Sequence, residues 1–167
     1  MRKMASVQRV LEKKSIVGAD LVEAYRVNGW WVVDKKGAYE VGDLVVYCEV
    51  DSWIPHTLAP FLTKPGHSPR EYLGVKGERL RTVKLKGQLS QGLLLPLVED
   101  NSEEGQDFSE ILGITKWEDT RYMSNMDARG NFPDFIPKTD QERVQNILRS
   151  IENWKGMSFE VTVKRDG

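Results

Sequence analysis

The chain has 167 residues, which suits one domain, or one domain with the start of a second. Lys and Arg number 24 against 25 Asp and Glu, and the net charge of -1 excludes a strongly basic, histone-like nucleic-acid binder. Cys48 is the one cysteine in the sequence, which excludes an intrachain disulfide and a cysteine-rich zinc site. The sequence has no apolar run of roughly 18 residues and no apolar leader, so we expect a soluble, intracellular protein, cytoplasmic or nuclear, with no membrane partner.

The first 98 residues read as short strands separated by turns. Asn28-Gly29 interrupts an apolar stretch over residues 21–33, and this pair favours a hairpin turn or a bulge. Residues 44–50 alternate, which places Val46 and Cys48 on one face of a strand and Val45 and Tyr47 on the other. Cys48 is therefore predicted to be a core residue.

Two further strands are predicted near residues 79–85 and 92–97, after a proline-rich loop over 54–69. Five strands in about 100 residues, with no βαβ pattern, favour a mainly β protein with an OB-fold-like small barrel. We assign residues 1–115 to this domain. A small β-sandwich is the alternative.

A basic cluster extends from Lys64 to Lys86 in a chain that is otherwise nearly neutral. On an OB barrel, such side chains can follow a phosphate backbone. If residues 79–85 form a regular strand, the two arginines face one side and the two lysines face the other. The candidate nucleic-acid-binding residues are Arg79, Arg81, Lys84 and Lys86. A solvated surface is the alternative interpretation.

Residues 116–167 are predicted to hold a linker, a helix over 139–152 and the first strand of a truncated domain. Thr139 and Glu142 form a capping box. The apolar residues that follow have helical spacing, and they are Val144, Ile147, Leu148 and Ile151. Phe159 to Val163 then alternates like a strand, and a single strand needs further partners, so the sequence looks cut.

The sequence after that strand, Lys164-Arg165-Asp166-Gly167, has the form K-x-D-G. A lysine amine at a strand end can attack the α-phosphate of a nucleoside triphosphate and form a phosphoramidate. Asp166 could orient a hydroxyl or a metal-bound water, and Gly167 would let the backbone approach the nucleotide. A plain turn at a strand end is the simpler interpretation, because these residue types are common there.

Three stretches, residues 79–97, 130–146 and 159–167, together resemble the ATP-dependent RNA ligases that place an OB domain before a nucleotidyltransferase domain. The resemblance implies that Lys164 is the adenylylated lysine of an enzyme that joins a 3′-hydroxyl to a 5′-phosphate in RNA repair. It also implies ATP with Mg²⁺ or Mn²⁺ as cofactors and RNA or an RNA-containing duplex as partner. The implied nucleotide-binding residues are Lys164, Asp166, Gly167, Thr162 and Arg143. No metal-binding residue is assigned.

Two features depart from the family. Arg165 stands where an apolar residue is expected, and the family's downstream metal- and phosphate-binding motifs are missing. We therefore expect the 167-residue chain alone to be inactive. A free-standing nucleic-acid-binding OB module and a protein-interaction module are the alternative functions.

Overall fold

The computed structural model describes residues 2–97, 101–119, 135 and 141–163, and these are mainly β. Within them, no helix has the length and apolar character needed to span a membrane. The strands are β1 Ala5–Ile16, β2 Ala19–Val27, β3 Trp30–Lys35, β4 Leu44–Cys48, β5 Ser52–Pro55, β6 Arg70–Tyr72, β7 Val75–Arg79, β8 Val83–Leu85, β9 Gln88–Ser90, β10 Leu93–Pro96 and β11 Thr115–Lys116. Short 3₁₀ helices cover Pro60–Leu62, Val144–Asn146 and Leu148–Trp154.

The central unit is an antiparallel five-stranded sheet in the order β10-β4-β1-β2-β3. β1 is long enough to change partners, and its first half pairs with β4 while its second half pairs with β2. A register shift between Val10 and Glu12 marks the change, and such irregularities bend a strand. The two sheet edges approach each other where the Gln91 N–H donates to the Trp31 carbonyl over 2.9 Å. One curled sheet of this kind favours the predicted barrel over the sandwich.

β4 lies inside the sheet and is buried on both faces. Val46 and Cys48 belong to one core cluster, and Val45 and Tyr47 belong to the other. The alternation predicted for this strand is therefore correct, and both of its faces are apolar because both are covered. Burial raises the pKa of the Cys48 thiol to about 12, as befits a core residue.

The tip of the β2–β3 hairpin is the predicted Asn28-Gly29 turn. Val27 pairs with Trp30 across it, and Asn28 has a φ of 50°, a conformation that asparagine tolerates. Trp30 is buried in the core, whereas Trp31 is only partly covered. The Nζ atom of Lys14 lies 4.0 Å from the centre of the Trp31 ring.

The segment between β4 and β10 carries more structure than the predicted loop and strand. Its strands β5, β7 and β6 form a second sheet, and β11, which comes after β10 in the chain, adds to the edge to give the order β11-β5-β7-β6. A separate β8–β9 hairpin lies between β7 and β10. The single strand predicted near residues 79–85 is wrong, because β7 ends at Arg79 and β8 begins at Val83. The break falls at Leu80, whose side chain is buried in the core and whose N–H donates to the Ser52 carbonyl.

The buried pair of Glu23 and Tyr25 makes stability depend on pH. The Tyr25 hydroxyl and the Gly37 N–H donate to Glu23 Oε1 over 2.6 and 2.8 Å. These bonds lower the pKa of Glu23 below its usual 4.5, so its stabilising effect is complete above that value. The effect is lost as the pH falls through the lowered folded pKa.

We expect Glu23→Gln to lower the urea midpoint at pH 7, with a smaller difference from the wild type at about pH 3. The exposed Glu160→Gln variant serves as the control and should match the wild type at both pH values. A difference for Glu23→Gln that grows towards acid pH would contradict this assignment.

Candidate functional site

The K-x-D-G residues Lys164, Asp166 and Gly167 lie outside the described residues. Thr162, which precedes them, is exposed. The strand predicted for residues 159–163 is not formed, because no described strand pairs with this stretch. Its alternating apolar side chains face solvent, with Val161 exposed at 92%.

The helix predicted over residues 139–152 differs from the structure. Thr139 lies outside the described residues, and the part that is described forms two 3₁₀ helices, Val144–Asn146 and Leu148–Trp154. An amphipathic α-helix gains most of its stability from packing its apolar face. Here Val144 and Ile151 stay exposed, at 51% and 38%, so that packing is missing.

Residues 143–146 nevertheless dock on the tip of the β2–β3 hairpin. The Gly29 N–H donates to the Gln145 carbonyl over 3.0 Å, and Trp30 Nε1 donates to Asn146 Oδ1 over 2.6 Å. A Cβ on Gly29 would lie 2.8 Å from the Gln145 Cβ, so the close approach requires glycine. Further along, Arg149 forms an ion pair with Glu104.

A buried carboxylate joins the N-terminus of the chain to this docked segment. Glu49 accepts hydrogen bonds from Arg2 and from the Asn146 amide. Burial raises the pKa of Glu49, and the Arg2 guanidinium opposes that rise. The charged form is therefore tolerated because both neighbours donate to it.

Asp51 brings together two arginines that the sequence assigned to different sites. Arg79 donates to Asp51 Oδ1 over 2.9 and 2.6 Å, and an Arg143 nitrogen lies 3.5 Å from Oδ2. Arg79 also stacks on Trp117 at 3.8 Å, and Arg143 lies 5.7 Å from the centre of Trp30. The guanidinium planes thus sit beside aromatic rings at the junction of the barrel and the docked segment.

The four predicted nucleic-acid-binding residues occupy four different environments. Arg79 is held by Asp51, Arg81 is exposed before β8, and Lys84 is exposed on β8. Lys86 is exposed at the tip of the β8–β9 hairpin, where its φ is 47°. Among the described residues, Arg81, Lys84 and Lys86 form no ion pair, so their charges are available to an external anion.

Arg81 borders a groove of about 460 Å³, which we call the basic groove. It lies between the 3₁₀ helix Pro60–Leu62 and the β8–β9 hairpin. Its cationic residues are Lys64, Arg70, Arg79 and Arg81, and its apolar residues include Phe61, Val83, Leu85 and Leu93. Lys84 and Lys86 do not line it.

Sequence reasoning missed Phe61 in the basic groove and Asp51, Asn146 and Trp117 at the junction. One local signal existed for Asp51, which follows strand β4 and has a φ of 71°, an unusual conformation for a residue other than glycine. The Asp51 N–H donates to the Leu80 carbonyl, and the Asp51 carbonyl accepts from the Trp117 N–H. The side chain is thereby fixed between the two arginines.

Comparisons with known proteins agree with the architecture. A family model for the OB-fold domain matches residues 4–97. The structure of Naegleria gruberi RNA ligase with PPi is 45% identical, with a TM-score of 0.83, and the match covers 100% of this chain and 51% of that one. Mutants of the same ligase with ATP and Mn and with AMP and Mn are 46% and 45% identical, each with a TM-score of 0.81 over 99% of this chain.

The chain therefore spans about half the length of these structures, 51% in each case. No curated protein sequence matches it. The OB-fold-like barrel and the resemblance to an ATP-dependent RNA ligase, both predicted from sequence, are confirmed.

Proposed function

We propose that this chain, which belongs to the OB-fold domain family, forms the N-terminal part of an ATP-dependent RNA ligase. The observation that carries this proposal is the match of this whole chain to about half of an RNA ligase, at 45% identity. The protein would join 3′-hydroxyl and 5′-phosphate ends in RNA repair. Its OB domain would engage the RNA.

The chemistry proposed for Lys164 is the first step of ligation. Its neutral amine attacks the α-phosphorus of ATP, a P–N bond forms, the bond to pyrophosphate breaks, and the amine loses a proton. AMP then passes to the 5′-phosphate of the RNA, and attack by the 3′-hydroxyl releases it. Structures of the Naegleria gruberi ligase contain ATP, AMP or PPi, which are the substrate and the two parts into which this step divides it.

The predicted cofactors, ATP with Mg²⁺ or Mn²⁺, agree with the Mn present in those structures. Across the described residues, no three side chains of the Asp, Glu, His or Cys type lie together as a metal site would require. No step is therefore assigned to a metal ion held by these residues.

The part played by the described residues is to position the segment that leads to Lys164. Arg143 is proposed to bind the nucleotide, and Asp51 and Trp30 hold its guanidinium in place beforehand. Thr162 is proposed to line the same pocket, and its exposure leaves it available. Asp166 and Gly167 are proposed to contact the nucleotide, as the resemblance implies.

Labelled ATP tests the proposal in the full natural protein that carries this chain. We expect label from the α-phosphate to stay on the protein after denaturation and label from the γ-phosphate to be lost, because pyrophosphate leaves. The 167-residue chain alone is expected to retain neither. A free-standing OB module would retain neither label in the full protein and would still bind RNA, which separates the two functions.

A further inference from the structure

We propose that the basic groove binds an unpaired stretch of the RNA substrate, with Phe61 as a stacking surface for a base and Lys64 and Arg81 as phosphate contacts. This inference rests on the proposed function and specifies which form of RNA the OB domain holds. It assigns a stacking role to Phe61, which sequence analysis left without one, and a phosphate contact within the groove to Lys64, which sequence analysis counted only as a member of the basic cluster.

The apolar part of the groove is exposed to solvent as a patch. Phe61 is 67% exposed, and Val83 and Leu85, on the facing hairpin, are 49% and 41% exposed. Apolar side chains gathered in one groove, rather than scattered over the surface, indicate a binding site. An exposed aromatic ring offers a face to any base, whatever the sequence.

Four cations and one carboxylate, that of Glu78, line the groove, and the cations divide into held and available ones. Arg79 is held by Asp51, and Arg70 lies 3.9 Å from Glu78. Lys64 and Arg81 form no ion pair within the described residues and are exposed. The groove thus presents two available cations beside an aromatic ring, which complements a polyanion that carries bases.

An unpaired strand fits this combination better than a duplex does. In duplex RNA the bases are stacked on one another, and proteins contact its phosphates and 2′-hydroxyl groups. A ring within a groove gains contact only with a base that has left the stack. The outward-facing Lys84 and Lys86 are suited to the duplex backbone, because they need no access to bases.

The β8 strand provides a matched control. Lys84 lies between Val83 and Leu85, which line the groove, so it projects from the opposite face of the strand. Lys84→Ala removes one positive charge from the same hairpin without touching the groove. Arg81→Ala removes one from within it.

Fluorescence anisotropy of the full natural protein, with labelled single-stranded RNA of about 12 nucleotides and the same sequence as a duplex, tests the proposal. We expect Phe61→Ala to weaken single-strand binding about 10-fold and duplex binding less than about twofold. Phe61→Tyr should restore it. Arg81→Ala and Lys64→Ala should each weaken single-strand binding and reduce the slope of log K against log salt concentration by about one. Lys84→Ala should change neither the affinity for single-stranded RNA nor this slope.

Equal losses for single strand and duplex after Phe61→Ala, no loss for either, or equal losses for Arg81→Ala and Lys84→Ala would overturn the proposal. So would a groove that binds an apolar peptide and no RNA. Thermal unfolding of each variant excludes a folding defect. Covalent labelling by ATP is measured in parallel. If the wild type is labelled but the groove variants bind RNA as the wild type does, this inference alone is overturned. If the wild type is not labelled, the ligase proposal is overturned.

Discussion

Replacing Lys164 with alanine in the full natural protein is expected to reduce covalent labelling by ATP by about 1,000-fold or more. The P–N bond forms at the lysine amine, and alanine offers no nucleophile in its place. Lys164→Arg should fail as well, because a guanidinium stays protonated at the pH of the assay. Denaturing gels after incubation with ATP labelled at the α-phosphate give the measurement.

A second lysine on the same part of the chain provides the control. Lys155 is exposed and forms an ion pair with Glu152, so Lys155→Ala should keep full labelling. If Lys164→Ala retained the adduct while Lys155→Ala lost it, the nucleophile would be assigned to the wrong lysine. If both variants retained it, a different nucleophile would form the bond.

The parts of the fold that follow from local rules could be predicted from the sequence. The two-residue alternation of β4 placed Cys48 in the core, and Asn28-Gly29 marked a real hairpin. The opposite environments of Trp30 and Trp31 follow from the same alternation. Each of these features depends on residues that are adjacent or two apart.

The remaining elements depend on partners that are distant in sequence. Residues 79–85 have the composition of one strand, yet pairing of Arg79 with Trp53 and the burial of Leu80 divide them. The capping box and apolar spacing of residues 139–152 predict an α-helix, but the side chains of Val144 and Ile151 stay exposed because they have no surface to cover. Local propensity decides the structure only where tertiary packing agrees with it.

The same limit applies to the candidate site. The K-x-D-G motif is readable because its residues are contiguous. The junction is not, because Arg79 lies 28 residues from Asp51 and Asn146 lies 97 from Glu49. The basic groove likewise needs Phe61, on the 3₁₀ helix Pro60–Leu62, and Arg81, just before β8, to line the same cavity. Charge composition predicted a cationic surface but could not separate Arg81 from Arg79, whose charge is already paired.

Replacing Gly92 with alanine is expected to lower the free energy of unfolding by about 3 kcal/mol or more, or to prevent folding. Gly92 precedes β10 and has a φ of 143°, which side chains disfavour. An added Cβ would lie 2.3 Å from Tyr47 Cε2 and 2.9 Å from the Cys48 carbonyl. The Tyr47 ring cannot move aside easily, because it is buried and its hydroxyl donates to the Gln91 carbonyl over 2.9 Å.

A matched glycine separates the steric cost from the backbone cost. Gly37 also has a positive φ, of 72°, but a Cβ there would have no atom within 4 Å, so Gly37→Ala should cost only about 1 kcal/mol. Urea unfolding of both variants gives the comparison, and equal costs would show that Tyr47 yields to the new methyl group. The position of Gly92 is a further reason to expect the larger cost. The N–H of the adjacent Gln91 donates to the Trp31 carbonyl, and this bond joins the two edges of the sheet, so the clash would disturb the point at which the barrel closes.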